Sequence, residues 1–409
     1  MIDSGGCTLR GRSVSTTLGI VLTVAAVVIV TGCSGRSSSG DLRIVAVAQI
    51  DQSGKTVSAQ PDPPAPADPA GSGDAICPPL SIAVAGAVDG VDSGPGVDIE
   101  NGIQLAVDKH NDANPGCQVQ LKTFDTQGDP GRAEEVGRQI VNDAFTIGMI
   151  GPELSQDAQS TGAIFDNAGM VAVTASATAV GLADNGWRTF FRGLGNDGVQ
   201  GTAVGNYLRR ELASERVCVV DDGSEYGLGL ATAVRDTLGG AADPRCAASL
   251  RGDDEQSISD VVGAIQSQSP DAVFFSGYAA QAATLVRQLR DAGVTASFVG
   301  GDAVKDDQFI AEAGGAAADS VLSCSCAPVP ERFVEEYTAR FGTEPGPFSA
   351  GGYDLGTVLL RGIDSGAITR PALLEFVRNY DGQGLQRRYQ WTDTGELTTT
   401  MVWIYRVQE

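Results

Sequence analysis

The sequence predicts an α/β protein of two doubly wound, Rossmann-like lobes, and three observations carry that prediction. From Leu80 onward short apolar runs alternate with amphipathic segments, the pattern of a parallel sheet with crossover helices. Near Arg216 the series restarts with the same order of elements. The 409 residues, 42% of them apolar, exceed one typical domain and supply material for two cores.

In order, Ser81 to Gly86 reads as a buried strand, and Asp98 to Asn111 as a helix with Ile99, Ile103, Ala106 and Val107 on one face. Gln118 to Phe124 is the next strand, Arg132 to Asp143 the next helix, Thr146 to Ile150 the third strand and Met170 to Val173 the fourth. The second half repeats this: strand Arg216 to Val220, helix Gly227 to Leu238, strand Ala247 to Leu250, helix Ile258 to Gln266. Ala272 to Phe275, Ala280 to Asp291 and Phe298 to Val299 complete it. Ligands of such sheets sit beyond the carboxyl ends of the strands, so two facing lobes form a cleft that a hinge can close.

Ahead of the lobes, Arg10 and Arg12 precede an apolar stretch from Leu18 to Val30, the n-region and h-region of a secretory signal. It ends in Val30-Thr31-Gly32-Cys33, which resembles a bacterial lipobox. That resemblance implies a leader over 1–33, lipidation of Cys33 and anchoring at the outer face of the cytoplasmic membrane. An uncleaved membrane anchor is the alternative, though the run is short for a span. Residues 34–77, rich in Ser and then Pro, read as a partly stiff tether. Within them 42–57 alternates apolar residues as a short strand would, with no function assigned.

A net charge of −23 without any Lys/Arg-rich segment excludes nucleic acid as a partner; solubility is its ordinary consequence. The six cysteines after Cys33 suit a compartment where disulfides persist. Cys77 and Cys117 stand just before predicted strands, and Cys218 and Cys246 repeat that placement. If those strands are parallel neighbours, the expected pairs are Cys77–Cys117 and Cys218–Cys246. Cys324 and Cys326 share a face of an extended strand, so a tight local bridge between them is open. Two cysteines and the chain's single histidine fall short of a zinc site, and no metal or cofactor is expected.

Polar or aromatic residues follow each predicted strand. Gly151-Pro152-Glu153-Leu154-Ser155 comes after the third strand of the first lobe and Thr174-Ala175-Ser176-Ala177-Thr178 after the fourth. Helix N-termini there offer amides to a carboxylate through Ser155 and Thr178, although each read singly is an N-cap. In the second lobe Asp221 to Gly227, Ser276-Gly277-Tyr278 and Gly300-Gly301-Asp302 hold the matching places. A tyrosine ring closes over an aliphatic stem and an aspartate pairs with an ammonium; surface aromatics and a further cap are the alternatives.

This arrangement, over about Leu80 to Val407, resembles the type I periplasmic binding proteins, specifically the leucine/isoleucine/valine-binding family of ABC importers. The likeness lies in the order of Ile82 to Ala87, Asn101 to Val107, Ala177-Thr178, Asp222 to Gly229, Ser276 to Tyr278 and Phe298 to Asp302. It implies a ligand carboxylate held by Ser155 and the Ser176-Ala177-Thr178 loop, an ammonium met by Asp302, and ring contacts from Tyr226 and Tyr278. It implies a hinge of three crossings near Gly195, Ala327 and Gln386, with lobes 78–195 plus 328–385 and 196–327 plus 386–409. Tyr353-Asp354 then belongs to a first-lobe helix and reads as core. Two departures bear on the ligand. Asp92-Ser93-Gly94-Pro95-Gly96 stands where the family often has an aromatic, and Ala175 replaces a common proline. A third is Glu153, in a place often apolar; if it faces the cleft, a ligand with an added cationic or hydrogen-bonding group is as plausible as leucine.

The implied function is an extracytoplasmic binding lipoprotein that captures a branched-chain amino acid or a related small ligand for ABC permease subunits. A ligand-sensing receptor lipoprotein is the alternative, but such proteins usually continue through a membrane helix into a signalling domain, and none follows the leader. An enzyme is not expected: His110, the only histidine, lies late in a predicted surface helix, and no nucleophile-elbow, zinc-protease or phosphate-loop motif is present. The acid pairs Asp221-Asp222 and Asp253-Asp254 are adjacent residues that point differently on a strand.

Overall fold

The computed structural model describes residues 42–57, 64–89, 93–250 and 255–409. The expected leader, Cys33, Asp92 and Asp253-Asp254 lie outside them. After β1 (Arg43–Ile50) the first lobe runs β2 (Leu80–Gly86), α1 (Gly94–Ala113), β3 (Val119–Asp125), α2 (Pro130–Asn142), β4 (Thr146–Ile150), α3 (Ser155–Asn167), β5 (Val171–Thr174) and β6 (Phe190–Arg192). The second begins with α4 (Asp197–Arg210), β7 (Val217–Asp221), α5 (Glu225–Leu238), β8 (Ala248–Ser249) and α6 (Glu255–Gln268). It continues with β9 (Ala272–Ser276), α7 (Ala279–Asp291), β10 (Ser297–Gly300), α8 (Asp307–Ala313) and β11 (Val321–Cys324). The chain returns through α9 (Glu331–Phe341), α10 (Ser349–Asp364), α11 (Arg370–Arg378), β12 (Asp381–Gln383) and β13 (Arg388–Gln390), and ends in β14 (Val402–Gln408).

Two large sheets result, in strand orders β3-β2-β4-β5-β6 and β1-β14-β11-β10-β9-β7-β8, beside the two-stranded antiparallel pair β12-β13. The first is parallel throughout; in the second, β14 runs antiparallel to both β11 and β1. Strands β2, β4 and β9 are buried along their whole length, as expected where helices cover both faces of a parallel sheet. That two-sided burial makes their sequences continuous apolar runs. Helix α10 is buried almost throughout and lies against α1, because side chains at Gly102 and Gly352 would collide with the backbone at Ser349 and Ile99. Pro95 and Phe348, at the starts of α1 and α10, come to line one cleft.

Two expectations are corrected. Residues within the expected tether are structured: the short strand read within 42–57 is present as β1, paired with β14 over Arg43–Ile50, and the Gln52 carbonyl accepts from the Asn206 side-chain amide at 2.9 Å. Further on, Ala67 donates to Gln383 at 2.7 Å, and Asn114 bonds Ala70 and Ala75 on the first lobe. The last crossing does not fall near Gln386, because Tyr389, Trp391 and Leu397 are buried in the first lobe's core. Trp391 stacks edgewise on Phe191 at 5.6 Å and donates its indole N–H to the Arg192 carbonyl at 2.7 Å. The chain therefore leaves the first lobe only after Leu397.

Disulfides join Cys77 to Cys117, Cys218 to Cys246 and Cys324 to Cys326. The first two link chain segments at paired parallel strands, β2 with β3 and β7 with β8. No described helix is long and apolar enough to cross a membrane.

Candidate functional site

Two loops of the first lobe are braced against each other. The Thr174 hydroxyl donates to the Pro152 carbonyl and accepts from the Ala177 amide, each at 2.9 Å. Ser176 donates to the Glu153 carbonyl at 2.8 Å, and the Ser155 hydroxyl accepts from the Ala179 amide at 3.2 Å. Behind them the fully buried Arg192 donates to the carbonyls of Ala177 at 2.6 Å and Ala179 at 3.0 Å, and pairs with Glu396 at 3.1 Å. A guanidinium with several donors in a fixed fork suits this clamp. Sequence pattern does not reveal it, since Arg192 ends a three-residue strand.

On the second lobe, Ser224 caps α5 by accepting from the Gly227 amide at 2.9 Å, which starts the helix at Glu225 and aims Tyr226 inward. The Tyr226 hydroxyl donates to the Asp302 carboxylate at 2.7 Å, and a Cβ at Gly301 would stand 2.6 Å from that hydroxyl. Glycine at 301 thus makes room for the bond. Gln200 adds a second donor to Asp302 at 3.2 Å. The Tyr226 and Tyr278 rings lie 5.7 Å apart.

These walls face each other across a cleft with ≈ 310 Å³ of empty space, part of it open to solvent. Pro95, Glu153, Leu154, Ser155, Ser176 and Phe348 line it from the first lobe, and Tyr226, Tyr278, Asp302 and Ala303 from the second. Six of the eight residues named from sequence are brought together here. Ala177 and Thr178 are not among the lining: Arg192 holds the Ala177 carbonyl, while the Thr178 carbonyl accepts from the Asp197 amide at 2.9 Å. Phe348 carries only a weak sequence signal, an aromatic after Pro345-Gly346-Pro347 at the start of a helix.

Burial pushes the Asp302 carboxyl upward, against its bonds from Tyr226 and Gln200. Asp197 is raised well above the usual carboxylate range by burial and then by the charge of Asp302. Both Tyr phenols are likewise pushed up, first by burial. The second-lobe wall thus holds acid at a cost that a cation offsets, while the first-lobe wall offers the Ser155 hydroxyl and the start of α3 to an anion.

His110 lies elsewhere and, against expectation, is buried rather than on a helix surface: its Nε2 stands 2.8 Å from Asp364. Asp364 and Cys117 are its only described neighbours of metal-ligating type, and Cys117 is consumed by its disulfide. Asp221 bonds Arg235 at 2.6 Å, a structural pairing away from the cavity. Tyr353 sits in the first core, as its helix position predicts.

Two doubly wound lobes with a cleft between them, apolar over most of its lining and carrying a few convergent polar groups, define a bilobed solute-binding architecture. Residues 79–409 match the family described as "Periplasmic binding protein", and the chain belongs to that family. The leucine-, isoleucine-, valine-, threonine- and alanine-binding protein of Pseudomonas aeruginosa is 26% identical over 298 residues, 71% of this chain and 80% of its own length. The fold is similar to that of the branched-chain amino acid transporter substrate-binding protein LivJ of Streptococcus pneumoniae, solved in complex with isoleucine. The TM-score is 0.74, with 22% identity, over 81% of this chain and 99% of that one. The leucine-binding protein LivK of Thermotoga maritima gives a TM-score of 0.71 at 24% identity, over 81% and 98%.

Proposed function

We propose that the protein captures a branched-chain amino acid or a related small amino-acid-like ligand by hinge closure and presents it to the permease subunits of an ABC importer. One observation carries this: the Ser155 hydroxyl at the start of α3 on one lobe and the buried acid Asp302 on the other face a single cavity, as the two ends of a zwitterion require. Ligand docks first on the first-lobe wall at Ser155 and Ser176; Tyr226, Tyr278 and Asp302 then arrive with the second lobe. The names of the relatives support the ligand class.

Three disulfides favour an extracytoplasmic home, and lipidation at Cys33 is the anchor this reading requires. Binding rather than catalysis fits a cavity whose lining holds neither a histidine nor a cysteine nucleophile among the described residues. A thermal-shift screen of amino acids, amides, polyamines and small sugars tests the function: amino acids should raise the melting point. A sugar acting alone would overturn it.

A further inference from the structure

Behind the first-lobe wall runs a chain of bonds that ends on the Ser155 hydroxyl. That oxygen accepts from the Ala179 amide at 3.2 Å, which engages its acceptor side and leaves its own hydrogen to be donated. Ala179 is held in turn through its carbonyl, which accepts from Arg192 Nη2 at 3.0 Å, and the Ala177 carbonyl accepts from Nη1 at 2.6 Å. Glu396 closes the chain, taking Arg192 Nε at 3.2 Å and Nη2 at 3.1 Å. A planar guanidinium that spends its donors on two loop carbonyls and one carboxylate fixes those peptides in direction as well as in place.

Glu396 reaches this place from far along the chain, 204 residues beyond its partner. It sits on a turn in which Trp391 pairs with Leu397 and the Thr392 amide donates to the Glu396 carbonyl at 2.8 Å. That turn lies on β6: the Arg192 amide donates to the Gly395 carbonyl at 2.9 Å, and the Trp391 indole donates to the Arg192 carbonyl. A Cβ at Gly395 would stand 2.0 Å from the Phe190 carbonyl, and its φ is +79°, so glycine is what permits the approach. Glu396 also accepts from the Asn196 side-chain amide at 3.2 Å, and Asn196 caps α4 where the first crossing enters the second lobe. One carboxylate thereby joins the loop behind Ser155 to the first and last crossings.

We propose that Arg192 and Glu396 are positioning residues for the ligand carboxylate: by fixing the Ala177 and Ala179 peptides they keep the Ala179 amide on the Ser155 oxygen, so that the Ser155 hydrogen is donated into the cleft. The proposal rests on the reading of the cleft as an amino-acid site with Ser155 at its carboxylate end, and it adds the residues that orient that end. Neither Arg192 nor Glu396 lines the cleft, so their effect on a ligand passes through the loop. The carboxylate seat and the hinge share Glu396, which ties the direction of the Ser155 hydroxyl to the crossings about which the lobes close.

Arg192 is wholly buried and its replacement endangers the fold, so the test uses Glu396, whose side chain is 20% exposed. Glu396→Gln keeps an oxygen for Arg192 and removes the charge. Whichever of leucine, isoleucine and valine binds wild type tightest is titrated calorimetrically into wild type, Glu396→Gln, Ser155→Ala and Asp302→Asn, and into Glu396→Gln combined with each of the other two. Every variant is also melted. Glu396→Gln should weaken binding about fivefold or more in wild type and beside Asp302→Asn, but less than about twofold beside Ser155→Ala, because members of one chain of bonds do not add. A role in folding alone would lower the melting point and weaken the ligand equally on all three backgrounds. That equal loss, or an affinity unmoved by Glu396→Gln, overturns the proposal and leaves the ligand reading standing. Failure of leucine, isoleucine and valine alike to bind wild type overturns that reading, and the proposal with it.

Discussion

The side-chain amide of Gln200 donates to the Asp302 carboxylate at 3.2 Å, and the same nitrogen reaches the Ser323 hydroxyl at 3.2 Å. Gln200 stands on the first helix after the first crossing, and its Oε1 accepts from Ser325 at 3.4 Å in the second crossing. The acid of the cleft is thereby tied to two hinge segments. Gln200→Leu removes a buried donor from that acid, so ligand affinity should fall by about 1–2 kcal/mol, roughly tenfold. Calorimetric titration checks it, and a deaminated analogue of the ligand should show no such loss.

Asp302 itself should matter more. Replacing it by alanine leaves a ligand ammonium buried without its partner, at a cost of about 2–5 kcal/mol. Asp302→Asn, which preserves the bond from Tyr226, should fall between alanine and wild type. Equal affinities for wild type and Asp302→Ala in calorimetry would remove Asp302 from the site.

The Cys324–Cys326 bridge spans a separation of 2, so it closes too short a loop to restrict the unfolded chain much. Its place is informative instead: between the two cysteines, the Ser325 carbonyl accepts from Arg387 at 2.5 Å and the Ser325 hydroxyl bonds Gln200. Cys324→Ser with Cys326→Ser should therefore shift the melting point by less than about 5 °C, within the effect of about 1 kcal/mol. Affinity should fall several-fold. Calorimetry beside a thermal melt separates the two effects.

Strands buried on both faces, such as Ser81–Gly86 and Ala272–Phe275, were readable because continuous apolar runs have few other homes. Helix α4 is hidden by the glycines of its sequence, two of which abut α5. Residues 386–397 go to the first lobe because of Tyr389 and Trp391, and only tertiary packing reveals which core takes an aromatic pair. In the site, residues that follow strands were visible through their position. Thr178 was not separable from them, since its carbonyl is held by the amide of Asp197, which local sequence does not connect to it.

Strand β1 has a stabilising role that its composition conceals. Its register with β14 spans Arg43 to Ile50, Ile50 is 2% exposed, and Leu42, Ile44 and Ala46 pack on the second core. Deleting residues 42–57 exposes the edge of β14 and should lower the melting point by several degrees, with some self-association, since an uncovered strand edge pairs readily. Differential scanning fluorimetry with light scattering reads both; an unchanged melt would make β1 dispensable.

Stability should fall as pH rises from 6 to 8. For His110, burial lowers the pKa, but bonds to Asp364 and Asn111 win and leave it above 6.5. Its contribution is then fully present below about 6.5 and lost as pH rises through the folded value. Asp98 on α1 is pushed up to about 8, first by burial and then by Asp306, against a bond from the Gly346 amide and the charge of Lys305. Between its usual 3.8 and that value the folded protein holds a proton the unfolded chain lacks, so rising pH again costs stability. Asp157 and Asp354, each raised to about 6 chiefly by burial, act with the same sign at the lower end. Lys305, lowered to about 8 by burial, has the opposite sign but contributes mainly above that pH. The melting point should therefore be higher at pH 6 than at pH 8, and Asp98→Asn with His110→Gln should flatten the difference. A wild-type melting point that rises over this interval would show that these groups do not carry the proton linkage.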